Sequence, residues 1–253
     1  MLEVCVDSAE SAVAACEGGA DRIELCCALA LGGLTPGIFL YRKIRELTNI
    51  RIHVMIRPRE GDFCYSDLEF EMMEKEIRAF REEGADGFVF GVLRPDGRID
   101  RERMEKLMDA AAGRHVTLHR AFDVCCDVEE ALDAAWMLGI KSILSSGQAP
   151  SAAEGIPCLK EIAGKSRIPV MAGGGIHAGC IPLIIKETGI SNFHMSGKKW
   201  TDGAMRYRRK ISMGTASGDE YGFWRTDAGE IKAAKAVLEQ ATFKYGVRNE
   251  NEK

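Results

Sequence analysis

The sequence lacks several features that would assign it to a specialised class of protein. Lysine and arginine number 34 against 38 aspartate and glutamate residues, for a net charge of −4. This balance excludes a strong global attraction to nucleic acid or to an anionic membrane. No apolar run approaches the roughly 18 residues that a membrane helix needs, and the acidic start of the chain is unlike a secretory signal. We therefore expect a cytoplasmic protein that binds neither nucleic acid nor membranes.

The sequence also lacks paired cysteines. It has nine, an odd number, and no two are spaced as CxxC; they stand at positions 5, 16, 26, 27, 64, 125, 126, 158 and 180. An odd count in a cytoplasmic chain argues against a disulfide framework, and the spacing disfavours a structural zinc site. No nucleophile elbow, P-loop or redox-cofactor fingerprint is present either. Free buried thiols are the default interpretation, and metal binding is the sharper alternative.

What is present is a repeated alternation of short β-type runs and helical patterns. Eight such runs begin 20 to 37 residues apart, at Leu2–Val6, Arg22–Cys26, Ile50–Ile56, Gly87–Leu93, His115–Ala121, Ser142–Ser145, Ile168–Ala172 and Asn192–Met195. The segments between them carry apolar residues at helical spacing. The predicted helices are Ser8–Glu17, Gly37–Leu47, Ser66–Glu83, Asp100–Ala112, Asp127–Leu138, Ala152–Ala163, Ala178–Glu187 and Asp227–Gln240.

Eight βα units in about 250 residues predict an α/β fold, a single (β/α)8 TIM barrel. A doubly wound sheet is the alternative. We expect residues 1–245 to form one domain and 246–253 a disordered tail. The polar segment 197–225 after strand eight is long for a loop, and we expect it to be structured over the barrel mouth or at a subunit contact.

The most informative stretch is His53–Ser66, where a buried strand leads into a charged Pro/Gly loop. Arg57, Arg59 and Asp62 follow the strand directly. In a barrel of this kind the carboxyl ends of the strands form the site, so other polar groups at strand ends belong with them. Alternation along the strands predicts that Glu24, His53, His119 and Asp123 converge there as candidate acid/base groups.

Other strand ends supply candidate binding groups for a small anionic molecule, with Arg57 and Arg59 as its clamp. These groups are Asp62, Arg120, Ser145, Gln148, Gly173, Gly174, Gly175, His194 and Ser196. The triple glycine and the Ser196 loop can cradle a phosphate with backbone N–H groups. The structural alternatives are core imidazoles, an ordinary Glu24–Arg57 ion pair, an Asp123 helix cap and tight glycine turns.

Cys5 and Cys26 suggest a second kind of site. They stand on neighbouring parallel strands at what we expect to be similar depths, so their sulfurs can approach. Two thiolates with few other ligands suit Cu(I) better than hard ions. The alternative is that both are small apolar fillers in the barrel wall.

Long motifs along the chain resemble those of the CutC family. They are LEVCVDS, GGADRIELC, GGLTP, IRPREGDFCYSD, GADGFVFGVL, TLHRAFD, SSGQ, MAGGGI and the EY pair ending at Tyr221. The resemblance covers nearly the whole chain and implies a cytoplasmic TIM barrel, a homodimer and a role in copper homeostasis. It implies no particular reaction. Cys16, Cys27 and Cys126 depart from the family pattern, so we place no metal site on them.

Overall fold

Eight parallel strands form a closed barrel in the computed structural model, which describes residues 1–211, 213–214 and 219–246. Each strand pairs with the next, and the last pairs with the first. The strands are β1 (Leu2–Val6), β2 (Arg22–Leu25), β3 (Arg51–Met55), β4 (Gly87–Phe90), β5 (His115–Leu118), β6 (Ser142–Ser145), β7 (Val170–Gly173) and β8 (Asn192–Met195). The predicted (β/α)8 barrel is confirmed, and the doubly wound alternative is wrong.

Eight α-helices accompany the strands in the described part of the chain, and five of them begin at a Ser or Asp cap. They are α1 (Ala9–Glu17), α2 (Ile38–Leu47), α3 (Asp67–Glu82), α4 (Arg101–Ala111), α5 (Val128–Met137), α6 (Ile156–Lys165), α7 (Ile181–Thr188) and α8 (Ala228–Tyr245). Ser66 and Glu69 form a reciprocal capping box at α3, which satisfies two backbone N–H groups that a helix start leaves unpaired. Helix α6 begins later than predicted, and a proline in its first turn fixes that start.

The strands divide the chain's buried residues into two sets. On β1, Leu2, Val4 and Val6 face outward and belong to the large apolar core that the helices cover. Glu3 and Cys5 alternate with them and face the barrel interior, because successive strand residues point to opposite faces. The interior is polar for a barrel, since it also holds buried charged groups and imidazoles from other strands. That polar interior contains the candidate site.

The segment after β8 forms a two-stranded antiparallel sheet, β9 (Lys198–Asp202) and β10 (Gly222–Thr226). Trp200 and Trp224 meet edge to face across it, with ring centroids 5.3 Å apart. Its end packs beside α1, where the Thr226 N–H donates to Ser11 Oγ.

Parts of the last predicted segments lie outside the described residues. Residues 212 and 215–218 are among them, as is the predicted tail apart from Gly246. Within the described part of the chain, no helix has the length and apolar character needed to cross a membrane.

Candidate functional site

Side chains from three adjacent strands meet inside the barrel and form the candidate site. Cys5 on β1 is paired in register with Glu24 on β2, and Glu3 on β1 is paired with His194 on β8. The Cys5 sulfur, a Glu24 oxygen and a His194 nitrogen all lie within 4.8 Å of one another. No other group of metal-ligand side chains this compact occurs in the described part of the chain. We call these three residues the interior cluster.

A carboxylate behind the cluster fixes the orientation of its histidine. Glu3 Oε1 lies 2.7 Å from His194 Nδ1, and the same carboxylate forms a buried ion pair with Arg22. When His194 donates its Nδ1–H to Glu3, its Nε2 is left facing Glu24 Oε2, at 3.8 Å. A carboxylate–histidine pair of this kind is what commonly orients a metal-binding imidazole.

The sulfur of Cys26 lies beside the interior cluster without belonging to it. Cys26 Sγ donates to Glu24 Oε2 at 3.3 Å, while Cys5 Sγ donates to the backbone oxygen of Met195 at 3.6 Å. The two cysteines are not directly opposite in the β1–β2 register, because the residue opposite Cys5 is Glu24. Cys26 stands two residues further on, just past the end of β2, so the Glu24 carboxylate is a neighbour of both cysteines.

Burial and neighbouring charges shift the protonation of these groups. Burial alone would raise the pKa of Glu3, but Arg22 and His194 outweigh it and hold the pKa low. Burial raises the pKa of Glu24 and, together with the nearby Glu24 carboxylate, that of the Cys26 thiol. Burial opposes the charged form of His194, yet Cys5, Glu24 and Glu3 raise its pKa well above the usual value. The interior cluster therefore favours the protonated forms of Glu24 and His194.

His53 does not lie at the barrel mouth, and this prediction is wrong. The residue pairs with Gly87 at the start of β4, and its ring lies 4.7 Å from that of His115, at the start of β5. Both rings line a cavity of about 550 Å³ at the amino-terminal end of the strands, with Arg22 and Arg51. Burial lowers the pKa of His53 well below its usual value.

Arg57 reaches the mouth, but its guanidinium group is hydrogen-bonded to backbone carbonyls. Its terminal nitrogens donate to the carbonyl oxygens of Leu31, Gly33 and Gly61 at 2.9 to 3.2 Å. It joins the loops after β2 and β3 and forms no ion pair with Glu24 within the described part of the chain. In this arrangement it holds the rim of the mouth in place.

Arg59 and Asp62 bind each other and the start of α3, so neither stands free as the predicted clamp. Arg59 donates to Asp62 Oδ1 at 2.9 Å and to Glu69 Oε1 at 2.8 Å. Glu69 is the capping-box residue of α3, so this network ties the loop to the start of that helix. Asp62 is well exposed, and the pair forms part of the outer surface.

His119 and Asp123 both lie at the mouth, but the carboxylate does not orient the imidazole as expected. His119 Nδ1 accepts from the Ala121 N–H at 3.2 Å, and among the described residues its buried Nε2 finds no hydrogen-bond partner. Asp123 instead accepts from Ser145 Oγ at 2.6 Å, from the Ser146 N–H at 3.0 Å and from Arg120 Nε at 2.7 Å. It organises the loop after β6.

The remaining predicted binding residues surround that loop. Gln148 is held by the loop itself: its backbone N–H donates to Asp123 and its side chain to the Cys125 carbonyl. Gly174 and Gly175 have positive φ angles, which glycine adopts without strain. Arg120 lies next to Gly174, with Nη1 3.7 Å from where a Cβ would be. Ser196 accepts from Thr226 Oγ1 through its backbone oxygen.

Two residues of the site were missed by the sequence reasoning, Glu3 and Arg22. The signal was available, because Glu3 interrupts the apolar run of β1 two residues before Cys5, and Arg22 stands two residues before Glu24. A charged residue in a buried strand requires a partner, and the two residues are directly opposite in the β1–β2 register.

Fold and site together define a class: a TIM barrel with a buried thiol, imidazole and carboxylate cluster in its interior. Comparison with known proteins defines the family. The CutC family model matches residues 1–199. A CutC family protein of Pasteurella multocida is 42% identical over 241 residues, covering 94% of this chain and 99% of the relative. The chain belongs to the CutC family, and the resemblance predicted from its motifs is confirmed.

A human relative and a solved structure support the same family. The human copper homeostasis protein cutC homolog is 43% identical over 241 residues, which cover 94% of this chain and 88% of the human protein. The crystal structure of the CutC protein from Streptococcus agalactiae is similar, with a TM-score of 0.74, 33% identity, and coverage of 78% of this chain and 98% of that one. Thiamine phosphate pyrophosphorylase from Pyrococcus furiosus, at 20% identity and a TM-score of 0.59, shares the fold alone.

Proposed function

We propose that this protein acts in copper homeostasis by binding Cu(I) inside the barrel, with Cys5 and Cys26 as its thiolate ligands. The observation that carries the proposal is the position of both sulfurs beside one buried carboxylate: Cys26 Sγ is 3.3 Å from Glu24 Oε2, and the Cys5 sulfur lies within 4.8 Å of a Glu24 oxygen. Soft thiolates select Cu(I) over hard ions. The name of the human relative supports copper as the cargo.

The surroundings of the two cysteines suit a Cu(I) ion that must be protected. Both are buried, and Cys26 packs with Met55 and Val89 in a small apolar group inside the barrel. An apolar lining restricts solvent access to a bound ion. The thiols are free rather than disulfide-bonded, so both are available as ligands.

The test is an anaerobic Cu(I) titration against a competing chelator. We expect one Cu(I) per chain in the wild type and loss of tight binding in Cys5→Ser, in Cys26→Ser and in the double variant. Cys158→Ser is the matched control, since this half-buried cysteine lies on helix α6, and it should bind as the wild type does. Retention of tight binding by the folded double variant would refute the thiolate site.

A second candidate function is binding of a small anionic molecule at the mouth, with His119 and Asp123 retained as candidate acid/base groups. The observation that favours it is Arg120, whose side chain is 44% exposed beside Gly174, a residue with a positive φ angle. Inorganic phosphate should raise the melting temperature of the wild type but not of Arg120→Gln. Arg94→Gln, which changes an exposed arginine paired with Asp96, is the control. Equal responses in all three proteins would exclude the mouth as the anion site.

A further inference from the structure

We infer that Cys5, His194 and Glu24 form a binding site for a borderline divalent transition-metal ion of the zinc type, and that Glu3 is its positioning residue. This goes beyond the proposed copper function, because it requires neither Cu(I) nor Cys26. The inference begins with the donor atoms: one sulfur, one imidazole nitrogen and one carboxylate oxygen. Thiolate, imidazole and carboxylate are the three ligand types that Zn²⁺ takes in proteins.

The separations suit an ion of this size. Bonds of about 2.0 to 2.3 Å in a tetrahedral arrangement place neighbouring ligand atoms roughly 3.4 to 3.7 Å apart. His194 Nε2 and Glu24 Oε2 are 3.8 Å apart, and the three donors lie within 4.8 Å of one another. Small rotations of the side chains would therefore bring all three donors to bonding distance, without any movement of the strands.

Glu24 has an unused oxygen in a buried position. The residue is 2% exposed, and Oε1 finds no hydrogen-bond partner among the described residues. Leaving a buried polar atom unpaired is unfavourable, so such an atom indicates a ligand. A cation bound by both carboxylate oxygens, or by Oε1 after rotation of the carboxylate, would satisfy it.

The charges of the surroundings also match a divalent ion. Glu3 and Arg22 form an ion pair, so together they add no net charge beside the cluster. Once a bound ion has displaced their protons, the donors are one thiolate, one carboxylate and one neutral imidazole, and this set neutralises two positive charges. Cu(I) would leave this set one negative charge in excess, and its preference for soft ligands makes little use of a carboxylate.

Glu3 gives the site the outer partner that a metal-bound histidine usually has. The Glu3–His194 contact of 2.7 Å fixes the tautomer that leaves Nε2 for the ion. Three protein ligands leave a further coordination position, as in zinc sites that bind an exchangeable molecule. Replacing such an outer partner typically lowers metal affinity by about 10- to 100-fold.

The experiment titrates the untagged chain with Zn²⁺ against a chromophoric chelator, and with Co²⁺ as a spectroscopic substitute. We expect one ion per chain, and a sulfur-to-cobalt charge-transfer band that disappears in Cys5→Ser and persists in Cys26→Ser. His194→Gln and Glu24→Gln should bind far more weakly than the wild type, and Glu3→Gln about 10- to 100-fold more weakly. Circular dichroism of each variant establishes that it is folded.

A measurement on the wild type alone keeps the inference refutable if a variant fails to fold. X-ray absorption at the zinc edge should show one sulfur and at least two nitrogen or oxygen neighbours. A first shell with two sulfurs, a shell without sulfur, or wild-type affinity in folded Glu24→Gln would overturn the site. The two proposals fail separately, because Cu(I) binding is tested by Cys26→Ser and divalent binding by Glu24→Gln and His194→Gln.

Discussion

Because the imidazole of His119 is buried, we expect the protein to lose stability in acid. Burial, with a contribution from the nearby Arg57 cation, lowers the pKa of His119 to about 3. The same side chain in the unfolded chain has a pKa of about 6.5. Below pH 6.5 the unfolded state therefore binds a proton that the folded state does not, and the stability that the neutral imidazole provides is lost as the pH falls.

The size of this loss of stability follows from the difference between the folded and unfolded pKa values of His119. Each pH unit between the two pKa values removes about 1.4 kcal/mol, so His119 alone should cost about 2 kcal/mol between pH 6.5 and pH 5. The test replaces His119 by asparagine, whose side-chain oxygen can still accept from the Ala121 N–H. At pH 7.5 we expect the variant to be less stable, because it loses the contact between His119 and the Phe63 ring at 4.7 Å.

The assay is guanidinium unfolding of both proteins at pH 7.5 and pH 5. The stability gap between wild type and His119→Asn should narrow by about 2 kcal/mol at the lower pH. His53 and His115 are present in both proteins, so their contributions cancel. His177→Asn is the control for removal of an imidazole from an exposed position: the Nδ1 of His177 makes a comparable 3.2 Å contact with the Gly179 N–H, on an exposed turn. A gap that does not change for His119→Asn would show that the imidazole is not held neutral by burial.

Two further predictions concern the loop after β6. Gly155→Ala should destabilise the protein by about 3 kcal/mol, because a Cβ there would overlap the Ser146 carbonyl oxygen, whereas Gly164→Ala in α6 should stabilise it by about 0.5 to 1 kcal/mol. Thermal melts of both variants would contradict this if the two changes had the same sign. Asp123→Asn should lower the free energy of unfolding by about 2 to 3 kcal/mol, because the Asp123 carboxylate accepts from Ser145, Ser146 and Arg120. Asp96→Asn, in an exposed turn, should cost less than about 1 kcal/mol in denaturant unfolding, and equal costs would refute the role given to Asp123.

The fold could be predicted from the sequence because it depends on local patterns. Apolar runs, helix caps and glycine turns repeat with one period, and the alternation along β1 places Glu3 and Cys5 on the inner face. The site was harder to predict because depth in a barrel depends on how far each strand is displaced along its neighbours. That displacement puts Glu24 opposite both Cys5 and His53, while His53 lines the cavity at the amino-terminal end of the strands. No local pattern encodes it.

Hydrogen-bond partners that come from distant loops also could not be predicted from the sequence. Arg57 is bound by the Leu31 and Gly33 carbonyls, 26 and 24 residues earlier in the chain. Its role as a support for the rim therefore depends on a loop conformation that its own neighbours do not indicate. Asp123 likewise binds a loop that begins 22 residues later, at Ser145. In both cases the residue type indicated a role at a strand end, but the sequence did not indicate which groups the side chain would bind.

The interior cluster is assembled from the first two strands and the last strand of the barrel. Glu3 and His194 are 191 residues apart in sequence, yet they touch across the seam where β8 meets β1. During synthesis, a chain that has emerged only as far as β7 holds Cys5 and Glu24 but not the imidazole. The complete donor set thus arises only when the ring of strands closes, so the proposed metal site exists only after that closure.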